Sequence, residues 1–220
     1  MNIQEVVKKN RETLSNVDCF ITDQDYNASS DSYGLPIQVK HLMDLPINED
    51  FTYVDVLMFL KQHLKAENPK YVEIGVSVLK TFYQVSNFLE GSELYAFDIN
   101  QINPTIAQKF ISVEEGEQIN KYTHNKNKIT YFKGNVFKEE DFNLFKKEVG
   151  DSVNIIFSDA QHTGEALRAE YDSYIKEALS DDFILYYDDL ENPSMRKFFL
   201  EICEKYKEKD ASITTALLQV

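Results

Sequence analysis

From residue 70 onward, short apolar runs rich in β-forming residues alternate with amphipathic stretches of helical length. That alternation permits few folds. A strand covered on both faces reads as a continuous apolar run, and a helix crossing over between two such strands makes their pairing parallel. The predicted strands are YVEIG (71–75), ELYAFD (93–98), ITYFKG (129–134), VNIIFSD (153–159), FILYYDD (183–189) and SITTALLQV (212–220). The predicted helices cover about 77–90, 104–120, 138–148, 164–179 and 194–208. In the fourth, Leu167, Tyr171, Tyr174, Ile175 and Ala178 recur at helical spacing and are expected to face the sheet. Asn192 followed by Pro193 reads as the N-cap and first-turn proline of the fifth. The expected architecture is α/β: three layers, α/β/α, around a doubly wound, mostly parallel sheet occupying residues 70–220.

Residues 1–69 follow another pattern, with helices predicted near 2–14 and 50–65 around an irregular tract, 18–46. A loop of that length holding Tyr26, Tyr33, Ile37, Val39 and His41 reads as a lid or substrate wall, or else as an N-terminal arm or oligomer contact. At 220 residues the chain suits one domain with this decoration. No apolar run approaches the roughly 20 residues of a membrane span. The first ten residues lack a secretory apolar stretch, and Cys19 and Cys203 outline no disulfide framework, so a cytoplasmic location is expected. A formal charge of -14 opposes docking on nucleic acid or anionic membranes, which leaves a small molecule as the expected partner.

In a doubly wound sheet, ligands bind beyond the carboxyl ends of the strands near the switch point. Glu73 and Gly75 close the first strand, and a glycine there lets the turn approach a ligand with no Cβ in the way. Asp98 ends the second strand, where a carboxylate accepts from ribose hydroxyls. Gly134 and Asn135 end the third, in place for an adenine amino group. The turn GVSVLKT has one glycine where a dinucleotide fingerprint has three, so a nicotinamide-dependent oxidoreductase is disfavoured. S-Adenosylmethionine carries no phosphate and suits an acidic, polar turn. Asp98 also has a bland reading, as a residue that merely ends a strand.

A second constellation lies further along. Asp159 ends the fourth strand, and Asp188 and Asp189 end the fifth; on neighbouring strands about 4.8 Å apart these carboxylates should converge. Clustered anions call for a raised pKa or a hard divalent cation, with magnesium the default. His162, three residues beyond Asp159, is placed either as general base toward a substrate hydroxyl or as a capping residue. Tyr187 is expected in the core, and His63 and His124 are assigned no role.

The set VEIGVSVLKT, LYAFDIN, YFKGN, IIFSDAQHTGEALRAEYDSYIKEAL and FILYYDD resembles class I S-adenosylmethionine-dependent methyltransferases, in particular the metal-dependent small-molecule O-methyltransferases of the catechol and macrolide-sugar type. The resemblance covers about residues 50–208 and implies a Rossmann-like methyltransferase fold. It implies that Glu73, Gly75, Ser77, Asp98 and Asn135 line the cofactor pocket, and that Asp159, Asp188 and Asp189 hold the metal, the last being an asparagine in the catechol enzymes. From its place at the strand end, Asp159 is also expected against the cofactor and, with His162, among the catalytic residues. The chain departs from the family in lacking a second glycine near 78–80, and in having Ser180, Asp181 and Asp182 where Pro-Gly-Gly is expected. The family also adds an antiparallel strand pair after the fifth strand, of which SITTALLQV supplies one member. An open apolar edge there invites a homodimer. The degraded turn and the missing strand together leave open a methyltransferase-like binding module without turnover.

Overall fold

The computed structural model describes residues 1–15, 52–77 and 79–207. Seven strands form one sheet: β1 (Tyr71–Ile74), β2 (Glu93–Asp98), β3 (Ile111–Glu115), β4 (Ile119–His124), β5 (Asn127–Lys133), β6 (Val153–Ser158) and β7 (Leu179–Tyr187). Their order is β3-β4-β5-β2-β1-β6-β7. The chain winds from β1 through β2 to β5 in one direction and through β6 to β7 in the other, with parallel pairing throughout this set. The switch point therefore lies between β1 and β6.

Strand alternation separates two apolar layers. Tyr71, Leu94, Ala96, Ile155 and Phe157 face α1 (Ile3–Ser15), α2 (Tyr53–Lys61) and α3 (Lys80–Phe88), packing with Val6, Val54, Leu57, Phe82 and Val85. Val72, Ile74, Phe97, Phe132 and Ile156 face the other way. They meet α5 (Glu139–Val149), α6 (Gly164–Glu170) and α7 (Pro193–Lys207), α4 (Pro104–Ala107) being only one turn long. The molecule is thus the expected three-layer α/β arrangement. Phe97 stacks between Phe132 and Phe142, and this packing accounts for Gly134: a Cβ there would lie 2.6 Å from the Phe97 ring.

α6 passes through a π-helical turn (Tyr171–Ile175) before a last turn, Lys176–Ala178. The wider turn lets Leu167, Tyr171, Tyr174, Ile175 and Ala178 all bury against the sheet, as their spacing predicts. Thr52 caps α2 through a reciprocal bond with Asp55, and Asn192 caps α7 by accepting from the Ser194 N–H at 3.0 Å.

The helix predicted over 104–120 requires correction. After α4, the chain forms an antiparallel hairpin, β3 and β4, which extends the sheet beyond β5. Ile111 and Val113 alternate with polar residues at a period of two, and Gly116 makes a turn so tight that a Cβ would sit 2.6 Å from the Ile119 carbonyl. Phe110, Tyr122 and His124 pack together where that hairpin meets α3, and the imidazole approaches Asn87 Oδ1 at 3.1 Å. The predicted strand 212–220, and the tract 18–46 with Tyr26, Tyr33, Ile37, Val39 and His41, lie outside the described residues. Among those described, no helix is long and apolar enough to cross a membrane.

Candidate functional site

Register alone brings the predicted residues together at the switch point. Ile74 pairs with Phe97 and with Ser158, and Ser158 pairs with Tyr187, so Asp98, Gly75, Asp159 and Asp188 follow side by side across four strands. The ladder continues past the strands, through Gly75 N–H to the Phe97 carbonyl, Asp159 N–H to Ile74 and Asp188 N–H to Ser158.

On the β1–β2 side, the acids are turned inward. Asp98 Oδ2 accepts from the Val76 and Ser77 N–H groups, both at 2.9 Å, and Oδ1 accepts from Asn100 N–H at 2.8 Å. A carboxylate offers about four acceptor positions, and three are engaged by backbone. Ser77 and Leu79 adopt left-handed backbone, with φ of 45° and 65°, and Asp98 braces that strained turn. Glu73 is fully buried, takes a 2.5 Å hydrogen bond from the Tyr71 hydroxyl, and is held well above the usual carboxyl range by burial. Gly75 is required by the protein's own backbone. Its φ is 83°, and a Cβ would lie 2.3 Å from both the Asp159 carbonyl and the Ala160 Cα. Asn135 closes a local turn, its Oδ1 accepting from Phe137 N–H and its N–H donating to Asp141.

On the β6–β7 side, the acids face one another. Asp159, His162 and Asp189 each place a donor atom within 4.8 Å of the others. His162 lies between the two carboxylates, Nε2 at 3.3 Å from Asp159 Oδ1 and Nδ1 at 2.5 Å from Asp189 Oδ2. Burial, then the neighbouring Asp188, push the Asp159 carboxyl up to about 7. Asp189 is raised by the same two causes, and Asp188 by burial. Such a group of oxygens and one imidazole fits a divalent cation. The close group is not the three aspartates alone. Asp188 stands outside the close group: its Oδ1 accepts from Asp189 N–H at 2.9 Å, and the Tyr53 hydroxyl donates to its carboxylate. Both nitrogens of His162 are likewise directed at carboxylates, so a role as base requires one of them to be released.

Two contributors had no local signature. Tyr53, on α2, sits against Phe157 and Tyr186 at 5.9 and 6.2 Å between ring centroids and reaches Asp188 over β6 and β7. Glu170 is fully buried behind Asp159, accepting a 2.6 Å bond from the Ser158 hydroxyl, and burial raises its carboxyl to about 8. Tyr187 is core, as expected. His63 is exposed and packs edge-on against Phe59.

A separate cleft of about 360 Å³ opens at the amino ends of the strands, where Lys70, Lys126 and Lys128 lie. Its cations are already engaged, Lys70 by the Val149 and Asp151 carbonyls and the other two by Glu90 and Glu93. No protein-family model matches the chain, and no curated protein matches it.

Proposed function

We propose that this chain is an S-adenosylmethionine-dependent methyltransferase of Rossmann-like fold, which methylates a hydroxyl of a small molecule with help from a divalent cation. The observation that carries this reading is the convergence of Asp159, His162 and Asp189 at the switch point of a doubly wound sheet. Asp159, Asp188 and Asp189 are adjacent acids with raised pKa values, an arrangement that a cationic ligand relieves. Glu73, Gly75, Ser77, Asp98 and Asn135 would flank the nucleoside, with Asp98 releasing Val76 or Ser77 to receive a ribose.

When bound, the cation would polarise the acceptor hydroxyl and the cofactor would supply an electrophilic methyl group. This chain's residues would orient the acceptor oxygen toward that methyl group, and a base of the Asp159–His162–Asp189 group would take the hydroxyl proton.

A second reading is favoured by one observation. The engagement of three Asp98 acceptor positions by backbone fits a methyltransferase-like module that has lost turnover. Calorimetric titration of the protein with S-adenosylmethionine, with and without divalent cation, tests both. Cofactor binding with methyl transfer to hydroxyl acceptors supports the enzyme, binding without transfer across an acceptor panel supports the module, and absence of binding overturns both.

A further inference from the structure

We propose that His162, rather than Asp188, is the third protein donor of this cation site, so that the site selects a first-row transition ion such as manganese over magnesium. The inference rests on the reading that the cluster holds a cation, and it concerns which donors do so. Nitrogen and oxygen donors lie about 2.0–2.2 Å from such an ion, so donors on opposite sides of it are about 4 Å apart. Asp159, His162 and Asp189 each offer one donor atom within 4.8 Å of the others, so a small inward rotation of the side chains, which turns one imidazole nitrogen from its carboxylate to the ion, brings all three to that separation.

The backbone explains why Asp188 is left out. Asp188 continues the ladder from β7, its N–H bonded to the Ser158 carbonyl at 3.1 Å. Asp189 then takes a left-handed φ of 54°, which turns the next carboxylate toward His162, while its own N–H and the Tyr53 hydroxyl hold the Asp188 carboxylate. His162 is fixed independently. Its carbonyl accepts from Asn192 Nδ2 at 2.9 Å, at the start of α7, and the following Thr163 caps α6. Two helix starts thus set the position of the His162 backbone, from which the imidazole reaches Asp159 and Asp189. Its nitrogen is a borderline donor that suits first-row transition ions, whereas magnesium keeps to oxygen and gives up water reluctantly.

The test uses the full chain, freed of metal with a chelator and titrated with manganese chloride in excess magnesium chloride, free manganese being followed by its electron paramagnetic resonance signal. Pulsed spectra of the bound ion report nitrogen coupling from an imidazole. The expected result is manganese binding that survives magnesium, with nitrogen coupling that disappears in His162→Gln and an affinity reduced about 10-fold or more, while Asp188→Asn retains both. Circular dichroism verifies the fold of each variant. Bound manganese without nitrogen coupling, weakened equally by Asp188→Asn and Asp159→Asn, overturns the inference and leaves the cation reading intact. Binding of neither ion overturns both.

Discussion

Two strand ends, level in register on either side of β1, use the same side chain in opposite ways. Asp98 beyond β2 turns its oxygens onto three backbone N–H groups of its own and the neighbouring turn. Asp159 beyond β6 faces an imidazole and two further carboxylates, while its N–H completes the ladder to Ile74. A carboxylate saturated by backbone donors is a structural part, because each charge-assisted bond stabilises the turn that supplies it. One surrounded by other acids is pushed toward its protonated form by burial and repulsion, a cost that a neighbouring cation would relieve. The difference teaches that aspartates with equivalent places in a topology are distinguished by the donors the local backbone leaves over.

The most severe way to disturb this comparison is at the point where the two regions touch. Gly75→Ala combines a left-handed φ with overlap against the Asp159–Ala160 backbone, and should cost about 4 kcal/mol, lowering the thermal midpoint by about 8–16 °C. An unchanged midpoint would show that the regions do not share this wall.

Next is the buried acid behind the second region. Glu170 keeps its proton in the fold to about pH 8, whereas its ordinary value is 4.5. Between those values the unfolded chain loses a proton that the folded chain retains, so Glu170's contribution to stability is fully present below the window and declines as pH rises through it. Glu170→Gln should reduce the stability lost between about pH 5 and pH 8 by about 3 kcal/mol, read from urea unfolding at each pH. Parallel profiles for the two proteins would contradict it.

Asp98→Asn sharpens the contrast directly. An amide loses one acceptor oxygen and presents N–H groups to backbone donors, for a cost of about 2 kcal/mol in urea unfolding. The smallest effect is expected for Asp159→Asn, which removes one charge from a repelling group and should leave metal-free stability within about 1 kcal/mol. Equal losses in these two variants would break the comparison.

Much of this was legible in the sequence. Continuous apolar runs revealed the parallel strands, and the helical spacing from Leu167 to Ala178 identified the buried face even through a π-helical turn. The hairpin of β3 and β4 was missed because both strands are short, ISVEE is exposed and INKYTH buries only Asn120 and Tyr122, so helical and strand periods compete weakly; Gly116 was the local signal. At the site, the sequence located Asp159, His162, Asp188 and Asp189 in one neighbourhood but left their division of labour unread. That division follows from the φ of Asp189 and from Tyr53, more than a hundred residues away, neither of which has a signature along the chain. The purpose of Gly75 was likewise invisible, since the backbone it meets arrives from another strand.

That contact also bears on how such a molecule can change over generations. A Cβ on Gly75 would enter the peptide between Asp159 and Ala160, so any side chain gained at one strand end displaces the backbone that carries Asp159 at the other. Mutations in the two turns are therefore not free to accumulate separately: a lineage that rebuilds the first must find a compensating change in the second, and the pair would be inherited as one unit.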